Sequence, residues 1–272
     1  MRAQRDTYSS QMRLLKARLA DYEGFMNIYR LVIKSILLFG AICFAVSGWS
    51  NVSDNVKNAT RPDTDTSRDE GRKPAAVVQF LGLQEGAVAI DLMALGGYYT
   101  EVLSHAVGGQ GRVYAQNAPM MLEFRDGYYG NLLSERLNDS RLGNVVRIDR
   151  DMDDLGIPAG SVDLAFTALN FHDIYNSAGE KAALQFLSNV YAVLKPGGVL
   201  GIIDHAGNTG ADNNSLHRMD EAALRAVIEK SEFNLDGASD ILRSAQDDRS
   251  GGVFSADMRG KTDRFLLRLK KS

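Results

Sequence analysis

Residues Leu187–Asp204 read LSNVYAVLKPGGVLGIID, and the hydrophobic spacing changes kind half-way through. Before Lys195 the apolar positions recur at helical intervals, so the spacing predicts a helix over 178–194. Lys195-Pro-Gly-Gly198 stops it, because proline and paired glycines break a helix. Val199–Ile203 is then a short apolar run with the character of a buried strand.

Working outward, the same alternation fills the chain from Pro74 onward. Upstream lie strand patterns at 87–92, 111–115, 144–148 and 162–167, with helix patterns at 74–81, 100–107 and 120–137. Downstream come a helix over 219–231, an apolar stretch at 233–236 and an alternating strand at 263–270. Strands alternating with helices imply βαβ units and a mostly parallel sheet covered on both faces. The last two strand candidates have no helix between them, so they are expected to pair antiparallel at one edge. The fold class expected is α/β: a Rossmann-like, doubly wound, mostly parallel seven-stranded sheet with one antiparallel edge strand.

The chain has 272 residues, 44% of them hydrophobic, enough for one sizeable domain and an additional segment. The formal charge of −3 carries no basic excess, which argues against a nucleic-acid partner. The one cysteine, Cys43, excludes a disulfide framework or thiolate metal site in the rest of the chain.

Three segments are expected: a leader over 1–49, a polar linker over 50–73 and the main domain over 74–272. Ser35–Trp49 is uncharged and apolar, preceded by Arg30 and Lys34. About 15 such residues are short for a membrane span and sufficient for a signal-peptide core. The alternatives are a cleaved export signal, an uncleaved anchor through residues 31–49, or a buried core helix. In the first two the domain lies outside the cytoplasmic membrane, periplasmic or anchored to the inner membrane. Met26 opens an ordinary signal-type sequence and is a second candidate start.

In a doubly wound sheet, ligands lie beyond the carboxyl ends of the strands. The loop after the first strand, Asp91–Thr100, holds Gly96 and Gly97. After the second comes Asn117, about 20 residues beyond the glycines, where a ribose-binding acid is expected. After the third come Asp151 and Met152, a carboxylate and a side chain suited to an exocyclic amine and a ring face. After the fourth come Asn170, His172 and Asp173, the densest chemical constellation in the chain. His172 is the first candidate base, with Asp173 and His205 as second candidates. Three histidines near one crevice raise the idea of a metal. Their spacing fits no compact ligand motif, and no metal is assigned on sequence.

In this order the segments AVAIDLMALGGYYTEVL, DMDDLGIPAGSVDLAFTALNFHD and LSNVYAVLKPGGVLGIID resemble the class I S-adenosylmethionine-dependent methyltransferase family. More narrowly, GGYYTEVLS, VYAQN, LKPGGV and RGKTDRF resemble a group of bacterial predicted methyltransferases, often exported. The resemblance implies S-adenosylmethionine as cofactor and methyl transfer by in-line displacement to a small molecule. It implies that Asp91, Gly96 and Gly97 lie against the methionine part, Asn117 at the ribose, Asp151 and Met152 around the adenine, and Asn170 near the methyl group. The chain departs from the family at Met93 and Leu95, which stand where two of three spaced glycines are expected, and at Asn117 in place of an acid. These departures leave open an exported binding domain of the same fold without transferase activity.

Overall fold

The computed structural model describes residues 52–138 and 140–272. The apolar run Ser35–Trp49 lies outside them. Among the described residues no helix is long and apolar enough to cross a membrane.

The sheet is built around β1 (Val88–Leu92), whose residues from Ala89 onward are all buried. Its parallel neighbours are β2 (Arg112–Asn117) on one side and β4 (Val162–Ala168) on the other. The strand order reverses between them, because β3 (Val145–Asp149) lies beyond β2 while β5 (Leu194–Gly207) lies beyond β4. β6 (Met219–Asp220) adds two residues parallel to β5. The far edge is closed by β8 (Arg264–Lys270), antiparallel to β5, and β7 (Asn234–Ser239), antiparallel to β8. The full path is β3-β2-β1-β4-β5-β8-β7.

Successive strand residues point to opposite faces, and both faces are covered. Leu164 and Phe166 enter the core beneath α3 (Pro74–Leu81) and α4 (Tyr98–Val107), while Ala165 enters the core beneath α6 (Phe171–Val193) and α8 (Glu221–Glu229). The two cores explain why the strands read as unbroken apolar runs.

Lys195-Pro-Gly-Gly198 does stop the helix, but strand geometry resumes at Leu194 rather than Val199. Leu194 pairs with Val162 and Val199 with Leu164, so the four residues form a bulge in the β4–β5 ladder. Lys195 Nζ sits 2.8 Å from both carboxylate oxygens of Asp163 and ties the bulge down. α6 begins earlier than its periodicity indicates, at Phe171, and breaks at Gly179 (φ +76°). α5 (Pro119–Asn138) is two helical pieces around a kink at Phe124–Gly127, where Arg125 and Asp126 also take positive φ.

The polar segment before Pro74 is not the exposed linker expected from its composition. It includes α1 (Asp63–Thr66) and α2 (Asp69–Arg72), and Val52 and Val56 are buried in the second core. Ion pairs supply what apolar content does not: Arg61 with Asp69, Arg68 with Asp65, and Arg136 of α5 with Asp65 at 2.6 Å. Asp65 is 1% and Arg61 7% exposed, so each pair has a buried member rather than lying on a solvated tether.

Candidate functional site

The crevice opens at the carboxyl ends of β1 and β4, where the strand order reverses. Its first wall is the turn Met93–Gly97. Met93 (φ +54°) and Leu95 (φ +51°) both hold the left-handed conformation that glycine adopts without penalty. The backbone thus keeps the shape of a glycine turn although two glycines are missing. Gly97 (φ +80°) and Gly96 also admit a neighbouring helix. A Cβ on Gly97 would come 2.9 Å from Leu133, and one on Gly96 3.0 Å from Leu132. The pair lets α5 pack onto the turn, and Arg136 Nε donates to the Gly96 carbonyl at 2.7 Å.

Two buried amides fix this turn. Gln116 Oε1 accepts from Met93 N–H at 3.0 Å, and its Nε2 donates to the Arg150 carbonyl at 2.7 Å. Asn117 Oδ1 accepts from Leu95 N–H at 2.7 Å, and its Nδ2 donates to the Leu95 carbonyl at 3.2 Å. Asn117 is fully buried, so its amide holds the turn rather than facing the crevice. Asp91 lies below, accepting from Thr100 Oγ1 at 2.7 Å. Burial pushes its carboxyl up to about 7, against the stabilising Thr100 hydrogen bonds. Asn170 Nδ2 donates to the Met93 and Ala168 carbonyls at 3.1 and 2.8 Å, joining the two walls. Met152 is half-buried against the core and Asp151 is exposed beside it.

The second wall follows β4. His172 is 3% exposed and fixed by Asp204 of β5, a residue outside the set of site candidates drawn from sequence. Asp204 Oδ1 lies 2.8 Å from His172 Nδ1, and Asp204 Oδ2 accepts from His172 N–H at 2.7 Å. His172 Nε2 faces Asp173 Oδ1 at 3.2 Å, and His217 Nδ1 lies 3.5 Å from that same oxygen. His205 is turned aside, its Nδ1 2.7 Å from Thr262 Oγ1. Burial works to lower the His172 pKa, but Asp204 and Asp173 outweigh it and raise it to about 10. Burial and positive neighbours, His172 foremost, push His205 well below the usual histidine range. The signal for Asp204 was its adjacency to His205 at the end of a strand; nothing in sequence spacing aims it at a residue 32 positions away.

Residues 94–202 match the family model described as a methyltransferase domain. The chain shares the fold of class I methyltransferases. Three solved structures show the same fold. A SAM-dependent methyltransferase from Aquifex aeolicus is 22% identical, with a TM-score of 0.56 over 81% of this chain and 98% of its own. The [4+2]-cyclase SpnF is 14% identical, with a TM-score of 0.55 over 74% of this chain and 80% of its own. The mitomycin 7-O-methyltransferase MmcR is 16% identical, with a TM-score of 0.51 over 76% of this chain and 54% of its own. No curated protein matches the sequence.

Proposed function

We propose that the domain binds S-adenosylmethionine in the crevice between β1 and β4 and methylates a small-molecule acceptor. The observation that carries this reading is the turn Met93–Gly97. Two residues with side chains hold left-handed backbone there, at a cost of about 1–2 kcal/mol each. A plain strand-to-helix connection needs no such conformation, whereas a backbone approaching a ligand does. The matched residues begin inside this turn, at Ala94.

When bound, the cofactor supplies a methyl group already activated by its sulfonium. The chain's own task is orientation and exclusion of water. In this reading Asp91 and the turn hold the methionine end, Asp151 and Met152 the adenine, and Asn170 borders the methyl group. Asn117 acts on the ribose end through the turn it fixes. Where the acceptor gives up a proton, the candidate base is Asp173, whose carboxylate reaches solvent beside His172 and His217. His172 and Asp173 shape the acceptor side.

Calorimetric titration of the full chain with S-adenosylmethionine, and separately with its demethylated product, tests the reading. Saturable heat with a rise in Tm is expected. Neither heat nor thermal shift at millimolar ligand overturns it. The apolar run Ser35–Trp49 further supports an exported or inner-membrane-anchored protein. A native chain whose measured mass places its start near Gly48 is the expected sign of cleavage, and an intact mass with no membrane association counts against both forms.

A further inference from the structure

The geometry points to a divalent-cation site formed by His172 Nε2, Asp173 Oδ1 and His217 Nδ1, with zinc the best-matched ion. Residues 45 positions apart in sequence are brought together here: the first turn of α6 supplies two ligands, and His217, at the end of the short helix α7 (Asn213–Leu216), supplies the third. The three donor atoms lie within 4.8 Å of one another. Two of the separations are given by contacts to Asp173, 3.2 Å from His172 and 3.5 Å from His217. Donor atoms about 2.1 Å from a tetrahedral zinc stand about 3.4 Å apart. The two edges on Asp173 fit that figure, and the third, between the histidines, is within 4.8 Å.

The surroundings of each imidazole agree with this assignment. His172 Nδ1 is held by Asp204, which is 0% exposed, so the carboxylate–histidine pairing that orients metal-bound imidazoles is already built. That contact leaves Nε2 as the ligating nitrogen. His217 is held against Phe254, ring centroids 4.9 Å apart. Two carboxylates, Asp173 and Asp204, offset the charge of a divalent ion. Two imidazoles with one carboxylate exclude a hard-ion cage of oxygens and favour a borderline metal. Three protein ligands leave a fourth position, and Asp173 and His217 are 58% and 44% exposed at the side chain, so that position faces solvent. It takes water, or an oxygen or nitrogen donor of an acceptor molecule.

A proton shared between His172 and Asp173 would produce similar contacts, and direct binding separates the two. Full-length protein stripped with a chelator is titrated with Co²⁺, read by visible absorption, and the bound cobalt is then displaced with Zn²⁺. One equivalent per chain is expected, with the intense bands of a four-coordinate site. His217→Ala and Asp173→Ala should each weaken binding by more than the ~10–100-fold lost when an outer-shell partner is removed. Both side chains are partly exposed, so an unchanged Tm confirms that the variants fold. His105→Ala, on α4 away from the cluster, should bind cobalt as wild type does. Absence of saturable cobalt binding, or binding that survives both ligand substitutions, overturns the site. The site does not rest on the methyl-transfer reading, and cobalt and S-adenosylmethionine binding are read separately.

Discussion

The wall after β1 and the wall after β4 stand on neighbouring strands, yet they use their polar groups in opposite ways. In the first, Gln116, Asn117 and Asn170 direct amides at the backbone of the turn, and each is buried. In the second, Asp204 is buried and satisfied, but it serves to aim His172 at Asp173 and His217, which reach solvent. Buried polar groups that satisfy one another specify a shape. A buried group that orients a partially exposed one prepares chemistry. The first wall therefore sets where a ligand lies, and the second what meets it.

The largest effect expected breaks the first wall from behind. Glu101 of α4 is fully buried and is the common partner of Arg136, Arg141 and His105. Arg136 also reaches Asp65 and the Gly96 carbonyl, so Glu101 anchors the turn to α5 and to the amino-terminal segment. Glu101→Ala removes this partner from the largely buried Arg136 and the more exposed Arg141. Loss of one member of a buried ion pair costs about 3–5 kcal/mol, and denaturant unfolding should show it. Burial raises the Glu101 pKa, but its histidine and arginine partners outweigh it and lower the carboxyl to about 2. A depressed acid contributes stability above its unfolded pKa, and that contribution is lost as pH falls through the folded value. Wild type should therefore lose this term between about pH 4.5 and 2, and the variant should lack that limb. A loss below 1 kcal/mol would show that the network does not hold the wall.

Ten residues earlier, Asp91 has the opposite sign. Its folded pKa is raised to about 7, so its contribution is fully present below the ordinary aspartate pKa and is lost as pH rises toward 7. Asp91→Asn keeps an acceptor for Thr100 and removes the ionisation. The variant should match wild type near pH 4 and exceed it by up to about 4 kcal/mol above pH 7. The same substitution should weaken S-adenosylmethionine binding if Asp91 meets the methionine end. A more stable variant with poorer binding would place the strain of this wall in the service of the ligand. Equal stability at both pH values would show that Asp91 ionises freely in the folded chain.

This division between walls was only partly legible in sequence. The alternation of strands and helices, and with it a doubly wound sheet, was readable because βαβ units have strong periodicity, and Lys195-Pro-Gly-Gly198 marks one junction without ambiguity. His172 and Asp173 could be singled out because they stand together just beyond a buried strand. Asp204 was not, since the parallel pairing of β4 with β5 is what brings it across to His172. Nor was the inward turn of Asn117, because an amide at the end of β2 has the same letter whether it faces a ribose or a backbone. The segment 52–73 misled for a related reason: its arginines and aspartates read as solvated, and only the fold reveals that they form ion pairs, each with a buried member.

The smallest effect sharpens the comparison at one atom. Asn117→Asp restores the acid that the family pattern carries at this position. In this fold the substitution keeps the acceptor for Leu95 N–H but replaces the Nδ2 donor with a second oxygen, opposite the Leu95 carbonyl. A buried acceptor facing an acceptor costs about 1–3 kcal/mol. The variant should lose stability by about 2 kcal/mol and bind S-adenosylmethionine more weakly, because the turn it holds is displaced. The opposite result, tighter binding with unchanged stability, would mean that the side chain swings out to the ribose and that the amide lock is dispensable. Binding and unfolding measured on one variant thus decide whether position 117 belongs to the wall's shape or to its chemistry.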